Sequence, residues 1–127
     1  RVELGMAVMD KSYLIGKVVE VSFTTSRVLL LSDLNSKVPV DIMPNNIQSI
    51  LSGTGDNEGV IQYTRQQDLI EENAIVFTSG AGGLFKSGIP IGKIFKDSSN
   101  NKTLVSFFSD FSQLRYVKII SFKEETE

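Results

Sequence analysis

A short motif that occurs twice in this 127-residue sequence constrains its fold more than any other feature. Residues 14–18 read Leu-Ile-Gly-Lys-Val, and residues 90–94 read Pro-Ile-Gly-Lys-Ile. The spacing downstream also agrees, because Asp33 lies 17 residues after the glycine of the first motif and Asp110 lies 18 residues after that of the second. Agreement in both composition and spacing predicts two copies of one structural unit.

The segments around the motif predict that each unit is built from β-strands. Ala7–Met9 and Ile75–Phe77 are apolar runs at corresponding upstream places, and no segment of ten or more residues repeats apolar side chains with the 3.6-residue period of a helix. Antiparallel units of this size commonly close into small barrels, since closure removes unpaired edges. We therefore predict an all-β fold of two small tandem antiparallel β-barrels. The first occupies residues 1–65 and the second residues 66–127, with the polar segment 65–73 as linker.

Local patterns predict the character of several strands. Gly16 indicates a β-bulge or a sharp corner in the strand that contains it. Further along the same strand, alternation places Val21 and Phe23 on one face. The continuous apolar run Val28–Leu31 is typical of a strand that is buried on both faces. Pro39 confines its own strand to a sheet edge, or else stands at the start of that strand.

Composition excludes most classes of catalytic and metal site. The sequence contains no His and no Cys, so it cannot form a Ser-His-Asp triad, a cysteine nucleophile, or a zinc, copper or haem site with thiolate or imidazole ligands. We predict no catalytic residue, no metal and no cofactor. The net charge of −2 and scattered basic residues argue against nucleic-acid binding. No apolar run reaches the length of about 18 residues that a membrane span needs. The sequence begins at Arg1 without a signal peptide, so we expect a fragment of a longer chain.

Residues 78–92 form a glycine-rich connection between two predicted strands. Glycines at this density indicate positive φ or close backbone approach. Large apolar side chains stand at its tip, where Leu84 and Phe85 precede Lys86. Either these residues pack into the same molecule, or they contact a partner. With the two motif glycines, the positions predicted to have structural roles are Gly16, Gly80, Gly82, Gly83, Gly88 and Gly92.

Three other patterns resemble a catalytic or ligand-binding motif but have simpler structural explanations. Ser99 and Lys102 have the spacing of the Ser-x-x-Lys nucleophile motif, but that motif needs a helix, and they stand in a segment with the composition of a hairpin tip. The glycines of residues 80–83 lack the further glycine and the helix that a phosphate-binding loop needs. Asp56 and Glu58 supply too few oxygen ligands for a calcium site.

The glycine-rich connection resembles the most recognisable signature of the MreC family of rod-shape-determining proteins. It reads Thr-Ser-Gly-x-Gly-Gly-x-Phe and then Gly-Ile-Pro-Ile-Gly-Lys. Lys86 stands where the family usually has a proline, and Ser49 stands where the family segment matching residues 48–53 normally carries a glycine. The resemblance covers most of the chain, including residues 5–8 and 14–18.

The resemblance implies a fold and a role. The fold is a double barrel of the chymotrypsin kind without catalytic residues. The role is that of a membrane-anchored scaffold whose barrels lie in the periplasm and whose transmembrane helix and coiled coil lie upstream of Arg1. Such proteins bind the class B penicillin-binding protein of the cell-elongation complex, couple to MreD, RodZ and, indirectly, MreB, and form dimers or filaments.

Two alternatives from other functional classes stay open. The first is a degenerate double-barrel hydrolase or a wall hydrolase that uses carboxylates. Because Asp33 and Asp110 each follow a predicted strand, closing a turn is the favoured explanation for both. The second is a barrel that binds a glycan or peptide through aromatic side chains at its mouth. The carboxylates available for the first are Asp33, Asp41 and Asp110, and the aromatic residues available for the second are Phe85, Phe107, Phe108 and Phe111.

Overall fold

The computed structural model describes residues 3–62, 69–83 and 85–110, and the backbone of residues 118–120. Within these residues the chain forms ten β-strands, which confirms the all-β prediction. The strands are β1 Ala7–Asp10, β2 Tyr13–Val21, β3 Ser26–Leu30, β4 Lys37–Met43, β5 Ile47–Gly53, β6 Glu58–Gln62, β7 Ile75–Thr78, β8 Pro90–Asp97, β9 Lys102–Phe107 and β10 Lys118–Ile120. A short 3-10 helix, Ala81–Gly83, lies between β7 and β8.

The strands form one closed barrel and one open sheet. The barrel has six strands in the order β4-β5-β6-β9-β8-β7, and the sheet has four in the order β10-β1-β2-β3. The predicted double barrel is therefore confirmed only in part, because the second unit is a sheet whose described strands do not close.

The predicted division of the chain at residues 65 and 66 is wrong, because the barrel takes three strands from each side of it. The division fails because the two repeats exchange a strand. The first repeat comprises β1–β4 and the second comprises β7–β10. The fourth strand of each repeat pairs with the first strand of the other, so Ile42 of β4 lies opposite Val76, and Ile119 of β10 lies opposite Val8. The hairpin β5–β6 is then added beside β4 and completes the barrel.

The structure confirms the internal repeat at the two motif glycines and the strands opposite them. Val8 lies opposite Gly16 and Val76 lies opposite Gly92, and the register shifts immediately after each valine. This shift is the β-bulge that Gly16 predicted.

Both motif glycines are required by the neighbouring strand. A Cβ atom added to Gly16 would lie 2.4 Å from the carbonyl oxygen of Leu29, and one added to Gly92 would lie 2.4 Å from that of Ser106. Only glycine allows the adjacent backbone to come so close.

The predicted burial of β3 on both faces is wrong. Val28, Leu29 and Leu30 are all half-buried, because β3 is the last strand of the open sheet. Leu31, just beyond it, is buried in the core that the sheet shares with the barrel. Pro39 is the third residue of β4, opposite Ile50 of β5 and just ahead of the pairing with β7 that begins at Val40, so it stands neither at a sheet edge nor at the first residue of its strand.

Candidate functional site

The glycine-rich connection folds back on itself around Thr78, the last residue of β7. The Thr78 hydroxyl donates a hydrogen bond to the carbonyl oxygen of Lys86 at 2.6 Å and accepts one from the N–H of Ile89 at 2.9 Å. The Gly88 N–H donates to the Thr78 carbonyl at 2.9 Å. One buried side chain thus fixes both ends of the returning segment.

Phe85 is a core residue and not an exposed tip. Its side chain is 3% exposed and belongs to the apolar core that the barrel shares with the sheet, against which the half-buried Ile89 also packs. For Phe85 the structure therefore shows packing into the same molecule. Lys86 is exposed, and Leu84 lies outside the described residues.

Three of the predicted structural glycines have backbone conformations that side chains disfavour. Gly80, Gly83 and Gly88 have φ values of 74°, 69° and 86°. The Gly83 N–H donates to the Gly80 carbonyl at 3.2 Å, which closes the turn containing the 3-10 helix, and Gly82 lies in that helix. The loop conformation is therefore set by glycine at defined positions.

Replacing Thr78 with valine should destabilise the protein through the loop. Valine keeps the shape of the side chain but leaves the Lys86 carbonyl and the Ile89 N–H without their hydroxyl partner. We expect the free energy of unfolding to fall by about 1–3 kcal/mol, measured by urea unfolding. The control is Thr24→Val at an exposed turn position, expected to change it by less than about 0.5 kcal/mol. Equal curves for Thr78→Val and the wild type would contradict this role.

The β2–β3 turn presents an exposed aromatic ring that the sequence analysis missed. Phe23 is fully exposed, and Val21 beside it is 41% exposed. The turn is held by the Ser22 N–H, which donates to the Thr25 carbonyl at 2.8 Å, and by a contact of 2.6 Å between the Ser22 and Thr25 hydroxyls. The alternation of apolar and polar residues predicted that Phe23 lies on the same strand as Val21, whereas β2 ends at Val21. The polar run that surrounds Phe23 is the signal that predicts a turn here.

The three candidate carboxylates have different surroundings, and one of them has a clear structural role. Asp33 accepts a hydrogen bond from the Asn35 N–H at 2.8 Å and so closes the turn after β3, as predicted. Asp41 lies within β4, and one oxygen of its carboxylate is buried without a hydrogen-bond partner among the described residues. Asp110 is exposed just after β9. In the described part of the chain, no group of three or more acidic residues is arranged to hold a metal ion.

The Ser-x-x-Lys pattern lies in a hairpin turn, as its composition predicted. The Ser99 hydroxyl donates to the Asp97 carboxylate at 2.7 Å, and Lys102 begins β9. The hydrogen bonds from Ser99 and Asn100 hold the pKa of Asp97 below its usual value. The serine and lysine are therefore not arranged on one turn of a helix, which the nucleophile motif requires.

Of the candidate aromatic residues that the structure describes, Phe107 and Phe108 border one groove of about 310 Å³ together with Phe95, and Phe85 is not among its lining residues. Phe85 and Phe107 are both buried in the barrel core. Phe108 packs against Tyr13 of β2 with ring centroids 5.0 Å apart, so it joins the sheet to the barrel. Phe111 lies outside the described residues.

The described part of the chain contains no helix with the length and apolar character of a membrane span.

Comparison with known proteins identifies the family. The family model described as rod shape-determining protein MreC, barrel core, matches residues 1–121. The cell shape-determining protein MreC of Caulobacter vibrioides is 38% identical over 121 residues, which are 95% of this chain and 35% of that protein. The chain therefore spans about a third of the length of this relative.

Solved structures show the same fold. The crystal structure of MreC from Pseudomonas aeruginosa matches with a TM-score of 0.83 and 31% identity, covering 94% of this chain and 81% of that one. A complex between a penicillin-binding protein and MreC from Helicobacter pylori also matches, with a TM-score of 0.72, 21% identity, and coverage of 94% and 80% of the two chains. At that identity the likeness concerns the fold. The match of the family model over residues 1–121 shows that the chain belongs to the MreC family of rod shape-determining proteins.

Proposed function

We propose that this chain is the non-catalytic barrel region of a periplasmic, membrane-anchored scaffold that organises the cell-elongation complex. Its direct partner is the penicillin-binding protein of that complex. MreD, RodZ and, indirectly, MreB are further partners, and the full-length protein self-associates into dimers or filaments. Membership of the MreC family supports the role in cell shape, and the Helicobacter pylori complex supports the choice of partner.

The chemistry of the chain supports binding over catalysis. Without His or Cys, a hydrolase would have to rely on the serine or carboxylate groups. Ser99 is hydrogen-bonded within a hairpin turn, and Asp33 closes another turn. Ser99 and Asp33 are therefore engaged in local structure, which favours a contact surface over an active site built on either of them.

The observation that carries the proposal is the exposed ring of Phe23. The fully exposed ring of Phe23 and the exposed side chain of Val21, two residues before it, give a partner apolar surface to contact. Aromatic residues of this kind often contribute most of the binding energy when a partner encloses them. The hydrogen bonds between Ser22 and Thr25 hold the turn in place, which lowers the entropy lost on binding.

The glycine-rich loop remains a second proposed contact. Lys86 is exposed at its tip, and Leu84 is proposed as a contact with it. Phe85 supports this role indirectly, because its buried ring anchors the loop to the barrel core.

We expect the full chain to bind the periplasmic part of the elongation penicillin-binding protein from the same organism. Biolayer interferometry should give a micromolar or tighter Kd, which corresponds to about −8 kcal/mol. Phe23→Ser should raise this Kd by about tenfold or more, because loss of a buried aromatic anchor costs more than about 1.4 kcal/mol.

The matched control is Leu69→Ser, which removes another exposed apolar side chain. It should leave the Kd within about twofold of the wild type, and both variants should keep the wild-type melting temperature. Equal affinity of Phe23→Ser and the wild type would rule out the β2–β3 turn as the anchor. Absence of binding by the wild type at high micromolar concentration would contradict the proposed partner.

A further inference from the structure

The strand β3 lies at the edge of the sheet, and some of its backbone groups point outward from that edge, away from β2. The Leu31 N–H donates to the Ile15 carbonyl at 2.9 Å, so residue 31 faces β2. Because antiparallel pairing alternates along a strand, the N–H and C=O groups of Val28 and Leu30 point to the other side. The Leu30 carbonyl accepts from the Asp33 N–H at 3.0 Å, which agrees with that direction. Among the described strands, none pairs with this edge of β3.

The second repeat shows what occupies the equivalent place. Its Phe108 N–H donates to the Ile91 carbonyl at 3.0 Å, so Val105 and Phe107 of β9 correspond to Val28 and Leu30 of β3. There the outer edge is covered by β6, which runs antiparallel to β9 with Gly59 opposite Val105. The two repeats therefore differ by one strand at this edge. In the second repeat β6 pairs with β9, whereas in the first repeat no described strand pairs with the outer edge of β3.

The lack of this strand leaves apolar surface open in the first repeat. Val105 is 0% exposed and Phe107 is 8% exposed, whereas Val28 and Leu30 are half-buried. Val28 and Leu30 border a groove of about 490 Å³, which the 70% exposed side chain of Leu34 also lines. Behind them lies a small apolar cluster formed by Met6, Val8, Ile15 and Val18.

We propose that β3 binds an extended segment of a partner protein as an added antiparallel strand, in the place that β6 occupies in the closed barrel. The segment accepts hydrogen bonds from the N–H groups of Val28 and Leu30 and donates one to the Val28 carbonyl, while the Leu30 carbonyl keeps its bond from the Asp33 N–H. It places small apolar side chains at alternate positions in the groove. In the register of β6, the residue equivalent to Val60 lies opposite the exposed Arg27, which has Glu20 of β2 opposite it on the other side. A carboxylate in the added strand would therefore be a second charge partner for Arg27. This surface is separate from the Phe23 contact and does not depend on which protein binds there.

Amide hydrogen exchange of the full chain, followed by NMR, tests this proposal. The probe is the hexapeptide acetyl-Thr-Val-Thr-Val-Glu-Thr-amide, whose valines face the groove and whose glutamate lies opposite Arg27. In the free protein, the amides of Val28 and Leu30 should exchange about tenfold or more faster than those of Val105 and Phe107. The saturating peptide should slow the first pair by about tenfold or more.

N-methylation of the peptide gives a matched control that leaves the protein unchanged. Methyl groups on the two valine amides remove the donors that face β3, so this peptide should give no protection. Methyl groups on the backbone amides of the second threonine and the glutamate point away from β3, so this second methylated peptide should still protect Val28 and Leu30. Arg27→Glu should weaken the original peptide, and a peptide with Lys in place of Glu should restore binding.

Four results would overturn the proposal. Equal protection of Val28 and Val105 in the free monomer would mean that the chain covers its own edge. Protection that grows with protein concentration would assign the edge to a second copy. Unchanged exchange at millimolar peptide, or equal protection by both methylated peptides, would show that β3 does not accept a strand.

Discussion

Phe85→Ala is expected to lower the free energy of unfolding by about 3–5 kcal/mol, since truncating a buried aromatic side chain leaves a cavity. The ring is 3% exposed and lies in the barrel core, although the residue belongs to a connection rich in glycine. Urea unfolding measures the change directly. A loss of this size would make the glycine-rich loop part of the folded core.

The exposed ring of Phe23 supplies the matched control. Phe23→Ala removes the same group of atoms from a fully exposed position, so its free energy of unfolding should stay within about 0.5 kcal/mol of the wild type. A small effect of Phe85→Ala, together with weaker partner binding, would mean that this ring contacts the partner in solution.

Gly92→Val is expected to destabilise the closed barrel by about 3 kcal/mol, because the added side chain overpacks a site with no free space. The new Cβ would lie 2.4 Å from the Ser106 carbonyl oxygen and 2.8 Å from Cγ1 of Val105. Thermal and urea unfolding both report this change. The control in the same strand is Ile91→Val, which should cost only about 0.5–1.5 kcal/mol.

The equivalent change in the open sheet gives a second comparison. Gly16→Val brings a Cβ as close to the Leu29 carbonyl, but β3 is a terminal strand and can move away more easily. We therefore expect a smaller loss than for Gly92→Val. Unchanged unfolding curves for both variants would contradict the close strand contact.

The features predicted from sequence are those that depend on local chemistry. The repeated motif located both bulges, because each needs a glycine where a neighbouring backbone comes close. The turns at Asp33 and Ser99 follow from side chains that bind their own backbone or a neighbouring carboxylate. The glycines at positive φ in the loop were predictable for the same reason.

The features that were missed depend on contacts between distant segments. An apolar run such as Val28–Leu31 is compatible with a central strand or with a half-covered edge, since the neighbouring strand decides its burial. The direction of the Phe85 side chain depends on the barrel beneath the loop. The exchange of fourth strands was not predictable, because β4 and β10 have alternating patterns that suit either partner.

Phe23 shows how a strong pattern can hide an exposed residue. Its spacing from Val21 continues the alternation of β2, so hydrophobic periodicity favours a buried position. The turn chemistry of Ser22 and Thr25 overrides that pattern and ends the strand. An exposed residue in a turn need not follow the period of the strand before it, because its side chain packs against no core.

The exchange of β4 and β10 interlocks the two repeats. Each repeat lends a strand to its neighbour, so neither repeat can come apart without breaking a sheet in the other. A load applied to one repeat is therefore shared through backbone hydrogen bonds by the whole molecule.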